Sequence, residues 1–124
     1  MTCRRRDLGA KGEALAARYL EAQGFRIRER NVRFRRGEID IVAQDGPILV
    51  FVEVKTRRSR RFGSPLESVD PRKRRKLWAL ARTYLYSRRL DGVDCRFDVI
   101  GITWEAPGKP PVIEHVRDAL GHRA

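Results

Sequence analysis

The sequence predicts an α/β fold, a mixed β-sheet flanked by α-helices in the order α-β-β-β-α-β-β, on three observations. Two stretches repeat apolar residues at helical spacing, several shorter ones alternate or run apolar at strand length, and residues 48–56 form an apolar, β-branched run suited to a strand covered on both faces. A length of 124 residues and 41% hydrophobic content suit one modest core, so a single domain over residues 1–124 is expected.

Residues 7–23 read as an amphipathic helix with Leu8, Gly12, Leu15 and Tyr19 along one line, Ala16 and Leu20 widening it and Gly24 as its stop. Phe25 and Ile27 then alternate with Arg26, Arg28 and Arg30, a half-buried strand toward a sheet edge. After the turn-like Arg35, Arg36 and Gly37, residues 38–44 alternate, with Ile39, Ile41 and Ala43 on one side and Glu38, Asp40 and Val42 on the other. Asp45, Gly46 and Pro47 turn this strand into the 48–56 run, which should be central. Residues whose numbers sum to about 92 then lie opposite one another, which sets Asp40 near Val52 and Glu53, with a shift of one where a bulge intervenes. Residues 57–66 are basic and contain Gly63 and Pro65, an exposed loop. Asp70 and Pro71 supply an N-cap and a first helical residue, and the helix should reach about Arg89. It places Leu77, Leu80, Ala81, Tyr84 and Leu85 on one face and Arg72, Arg75 and Lys76 on the opposite one. Residues 95–104 form another strand, 107–111 a loop and 112–116 a short final strand.

Composition narrows the function classes. No apolar run approaches the roughly 20 residues of a membrane helix, and residues 1–8 are too charged and too short for a signal peptide, so a cytoplasmic protein with no membrane partner is expected. Cys3 and Cys95 support neither a disulfide framework nor a zinc site; Cys95 is read as a core residue and Cys3 as a surface thiol. His115 and His122 are read as bystanders. The net charge of +12 is concentrated: residues 54–90 carry thirteen basic and two acidic groups. Such a stretch points to a polyanion, and nucleic acid suits it better than a lipid surface because no aromatic-rich amphipathic helix accompanies it.

The chemical anomaly is Glu53 and Lys55 at the end of a strand that should be buried, since an unpaired buried charge costs several kcal/mol. Two residues apart, they share a face, and Asp40 from the preceding strand can reach it. Two carboxylates on neighbouring strands repel unless a cation lies between them, and Mg²⁺ or Mn²⁺ suits an all-oxygen site that also accepts phosphate oxygens. Lys55 would orient or deprotonate the attacking water, or neutralise charge on the phosphate. The competing reading is an ordinary salt-bridge cluster at the sheet rim. Arg57, Arg58, Arg60 and Arg61, with Arg72, Lys73, Arg75 and Lys76, are the candidate phosphate contacts, against a solvated cationic surface as their alternative. A protein-binding module that recognises an acidic partner is a third reading of the same charge.

These residues carry a family likeness. Gly37-Glu38-Ile39-Asp40, twelve residues, then Glu53-Val54-Lys55 resembles the PD-(D/E)XK signature of restriction-endonuclease-like nucleases, with Ile39 where the signature has proline. Gly12-Glu13, Asn31, the run from Phe51 to Arg57, Phe62-Gly63 and Arg96-Phe97-Asp98-Val99 extend the resemblance over roughly residues 7–120, to the YraN family. Those small bacterial proteins are similar to archaeal Holliday junction resolvases. The resemblance implies a restriction-endonuclease-like fold and a Mg²⁺- or Mn²⁺-dependent endonuclease acting on nucleic acid, in particular DNA with branched or repair intermediates, and working as a homodimer. It makes Asp40 and Glu53 metal ligands, Lys55 the catalytic lysine and Glu13 an accessory acidic residue reaching in from the first helix. Helical spacing leaves Glu13 at the border of the apolar stripe, where an exposed carboxylate is an equally good reading. A nucleic-acid-binding accessory protein that keeps this scaffold without cleaving is the alternative function.

Overall fold

The structure is a computed structural model that describes residues 5–58 and 70–121. Its elements are α1 (Arg5–Ala22), β1 (Arg26–Phe34), β2 (Gly37–Asp45), β3 (Ile48–Arg57), α2 (Pro71–Ser87), β4 (Cys95–Thr103) and β5 (Val112–Val116). This is the α-β-β-β-α-β-β order that the sequence predicts. The strands form one five-stranded sheet in chain order, antiparallel throughout except for the parallel pair β3–β4. Thus β3 is central, and β1 lies at an edge as its arginine alternation indicates.

One helix covers each face. Ala16, Ala17 and Leu20 of α1 pack with Ile41, Ala43, Val50, Val52, Ile100 and Ile102. On the other face Leu77, Trp78, Leu80, Ala81, Tyr84 and Leu85 of α2 pack with Val42, Leu49, Phe51 and Phe97. Neighbours along β3 therefore enter different cores, which is why its sequence is apolar without alternation. The ring of Phe97 lies 5.3 Å from that of Phe51 and 4.9 Å, edge-on, from Trp78. The hydroxyl of buried Tyr84 donates to Glu29 Oε2 at 2.6 Å and ties α2 to β1.

The termini of α2 follow from local chemistry. Asp70 Oδ1 accepts the Lys73 backbone N–H at 2.9 Å, satisfying one of the helix's orphan donors, and Pro71 takes the first position, where no N–H is needed. The helix ends at Ser87, two residues short of the expected Arg89, which has turned to φ 57. The β2–β3 turn is set by Gly46, whose φ of 59 suits a two-residue hairpin before Pro47. Asp45 pairs with Ile48 and Ile41 with Val52, so paired numbers sum to 93, one more than expected.

The alternation expected in β2 fails at one place. Ile39 packs with Val42 on the α2 side, whereas Ile41 and Ala43 pack on the α1 side. Residues two apart share a face only in a regular strand, so the strand is irregular at Asp40. Opposite it in β1, between the pairs Arg30–Ile41 and Val32–Ile39, stands Asn31 with φ 55, a left-handed conformation that asparagine tolerates better than most residues.

His115 is no bystander. Its Nε2 lies 2.8 Å from Asp98 Oδ2 and its Nδ1 3.2 Å from the Tyr19 hydroxyl, joining β5, β4 and α1. Asp98 is fully buried; desolvation opposes its charge, but hydrogen bonds from His115, Arg96 and the Asp118 N–H outweigh that and lower its pKa. Cys95 is half-buried against the α2 core. Cys3, His122 and the Phe62-Gly63 motif lie outside the described residues. Among those described, no helix is long and apolar enough to cross a membrane.

Candidate metal centre and lysine pair

The irregularity in β2 builds the site. The last β2–β3 pair is Ile41 with Val52, and one step beyond it Asp40 comes beside Glu53. There the Val54 backbone N–H donates to Asp40 Oδ2 at 2.8 Å, so the side chain of Asp40 takes up a main-chain donor of β3. Glu13, from the third turn of α1, and Glu38 complete a group: one carboxylate oxygen from each of Glu13, Glu38 and Asp40 lies within 4.8 Å of the others. Gly12 lets α1 come this near, since a Cβ there would run into the hydroxyl of Thr56 on β3.

Electrostatics within the group are strained in one direction. Burial, together with the charges of Glu53, Glu13 and Glu38, pushes Asp40 up to about 7 against the Val54 hydrogen bond. Burial and Glu38 likewise raise Glu13, despite Arg30, Asn31 and Arg33. Arg33 pairs with Glu38 at 3.0 Å, but from an exposed position on the rim. Close carboxylates of this kind are the donor set for a hard divalent cation, whose charge would reverse each of these shifts. The carboxylates of Glu13, Glu38 and Asp40 are thus of the donor type that Mg²⁺ or Mn²⁺ accepts, and these three residues would hold such an ion.

Glu53 points away from that trio. By alternation from Phe51 it faces α2, where its Oε2 contacts Lys55 Nζ at 3.2 Å and Lys73 Nζ at 2.9 Å. The two lysines respond in opposite senses. Burial and the hydrogen bond with Lys73 lower Lys55, more than Glu53 restores it. Burial opposes the charge of Lys73 too, but its bonds to Lys55 and Glu53 raise it. With both ammonium groups on one carboxylate oxygen, the two lysines titrate as a pair.

The sequence-predicted residues divide accordingly. Asp40 and Glu13 come together; Glu53 and Lys55 sit beside them across the β2–β3 edge as a second group. Glu38, read from sequence as a neighbour of Asp40, supplies a carboxylate of the trio, and its same-side parity with Asp40 was the available signal. Lys73, expected as a phosphate contact, is held on Glu53 at 2.9 Å. Its helical position, about 100° from Arg72 and about 160° from Arg75, turns it away from their face. Arg72, Arg75 and Lys76 are exposed on the first turns of α2, at the positive end of the helix dipole, where carboxylates are the usual occupants. Cations there add to the dipole and strengthen an anion-attracting field. Arg57 and Arg58 lie at the end of β3, while Arg60 and Arg61 lie outside the described residues.

A sequence profile described as "Uncharacterised protein family UPF0102" matches residues 12–102. Among relatives, a UPF0102 protein of Moorella thermoacetica is 50% identical over 120 residues, spanning 97% of this chain and 100% of its own length. One of Chlorobium chlorochromatii is 48% identical over 92% of this chain and 91% of its own. One of Symbiobacterium thermophilum is 55% identical over 78% of this chain and 82% of its own. The matched segment carries every residue of the carboxylate trio and the lysine pair, and the chain belongs to the UPF0102 family, the group that its motif string resembles under the name YraN.

Proposed function

We propose that the protein is a divalent-metal-dependent endonuclease of the restriction-endonuclease-like superfamily, hydrolysing phosphodiester bonds in nucleic acid, with DNA and its branched or repair intermediates as substrate. The observation that carries this reading is the convergence of Glu13, Glu38 and Asp40 within 4.8 Å, next to Lys55 and Lys73 gathered on Glu53. Bound by the trio, Mg²⁺ or Mn²⁺ supplies Lewis-acid polarisation of a phosphoryl oxygen and a lowered pKa for water. Lys55, whose pKa burial lowers, would orient the attacking water or take its proton at Nζ. Lys73 keeps its charge and offsets negative charge at the phosphate. Glu53 orients both ammonium groups, and the cationic turns of α2 draw the strand in.

The contacts of Glu53 also favour a second reading. With Oε2 engaged by two lysines, Glu53 is less open to a metal than the motif implies, as suits a nucleic-acid-binding accessory protein on a nuclease scaffold. Cleavage assays on linear, flapped and four-way DNA and on RNA, with Mg²⁺, Mn²⁺ or chelator, separate the two. Wild type should cleave only with metal, and Asp40→Asn and Lys55→Ala should each lose about 100-fold or more. Equal cleavage by all three proteins would remove the mechanism. Binding by wild type without cleavage of any substrate would establish the accessory reading.

A further inference from the structure

The turn joining β1 to β2 rests against α2: a Cβ on Gly37 would stand 3.1 Å from Leu80 Cδ1 and 3.5 Å from Lys76 Cε. Beside that contact an open groove of about 450 Å³ runs between turn and helix. Buried Leu80 and half-buried Phe34 give it an apolar floor, and the exposed Arg35, Arg36 and Lys76 give it a cationic rim. Among the described residues no acidic side chain lines it, and none of the three cations has an ion-pair partner. Thr83 lies further along the helix; its hydroxyl donates to the Ala79 carbonyl at 3.0 Å and keeps lone pairs free to accept.

We propose that this groove holds one unstacked nucleotide of the bound nucleic-acid strand, its base on Phe34 and its phosphates on Arg35, Arg36 and Lys76. The proposal rests on the nucleic-acid reading above and adds to it a preference for unpaired nucleotides next to the reacting phosphate. Three properties select this occupant. An aromatic side chain set in an apolar floor offers a base a stacking surface, and uncompensated cations at the rim match the phosphates that accompany it. A base inside a duplex has both faces covered and cannot enter. The groove is also continuous with the candidate site, since Lys76 follows Lys73 by one turn of α2, and the stretch from Lys73 to Thr83 spans about 15 Å, the reach of a few nucleotides.

Binding in chelator, measured by fluorescence anisotropy, tests the groove without any need for cleavage. Wild type should bind a gapped or flapped duplex about tenfold more tightly than a fully paired duplex of equal length, as one stacking contact would give. Phe34→Leu, which keeps the apolar packing, should reduce that preference to less than about twofold with the duplex affinity retained, and Phe34→Trp should restore it. Arg36→Ala should lower the slope of log affinity against log salt by about 1. DNA and RNA forms of each substrate, run in parallel, identify the strand. If Phe34→Leu keeps the full preference, the groove proposal falls while the nuclease reading stands. If wild type binds neither substrate, both fall.

Discussion

Asp40 concentrates the chemistry and the cost of the candidate site. A buried carboxyl held at about 7 disfavours the folded state once it must ionise. Because its folded pKa is raised, its contribution to stability is fully present below its ordinary value of 3.8 and is lost as pH rises through about 7. Asp40→Asn can still accept the Val54 N–H but never ionises. In chelator, urea unfolding should show variant and wild type alike near pH 4. By pH 8 the variant should be the more stable, by on the order of 2–4 kcal/mol. Mn²⁺ at pH 8 should raise the melting temperature of wild type and leave Asp40→Asn unmoved. A stability difference that does not change with pH would show that the carboxylates around Asp40 do not impose the strain assigned to them.

Among the elements, α1 is placed by the absence of a side chain. Gly12 sits where a methyl would strike Thr56, so the helix that carries Glu13 lies close enough to β3 for Glu13 to meet Glu38 and Asp40. Glycine inside a helix ordinarily costs up to about 1 kcal/mol relative to alanine, so its presence in α1 has a packing reason. Gly12→Ala should destabilise the protein by about 1–2 kcal/mol through overpacking, and should weaken metal-induced stabilisation as Glu13 moves outward. In a Thr56→Ala background the same change should become neutral or stabilising, because the obstacle is gone and helix propensity remains. Destabilisation that persists in that background would place the conflict elsewhere. The opposite helix works through its charge. Its capped first turn delivers Lys73 to Glu53 and leaves Arg72 and Arg75 outward, so one local motif, Asp70-Pro71, positions both the α2 partner of Glu53 and an outward cationic face.

Over the whole molecule, the two helices bring opposite charges to the sheet: Glu13 comes from α1, and Lys73 with the exposed Arg72, Arg75 and Lys76 from α2. The trio draws Glu13 from α1 and the Glu53 group draws Lys73 from α2, so on the proposed reading a strand laid across the ends of β2 and β3 would meet the carboxylates and the cationic turns of α2 together. Nucleic-acid affinity should then fall roughly 100-fold between 50 and 200 mM salt if about four phosphates are contacted. Arg72→Glu with Arg75→Glu should flatten that response and weaken binding to all sequences alike, as titrations over a salt series would report. A response equally steep in the double variant would move the binding face away from α2.

The sequence by itself determined the elements and their order, the central place of β3, the cap of α2 and its two faces, and the anomaly of Glu53 and Lys55 as charges at the end of a buried strand. Those features depend on local periodicity, on capping chemistry and on residue types too costly to bury idly, all of which act within a few residues. Only the tertiary structure decided which charges meet. Alternation assigned Ile39 and Ile41 to one face, but the paired irregularity at Asn31 and Asp40 reverses the strand's facing at that point. Nothing in a period of two can announce such a break. Glu38 joined the carboxylates, Glu53 turned to Lys55 and Lys73, and His115 found Asp98 across β4 and β5, because each contact joins residues distant in the chain and is fixed by the packing of two helices on one sheet.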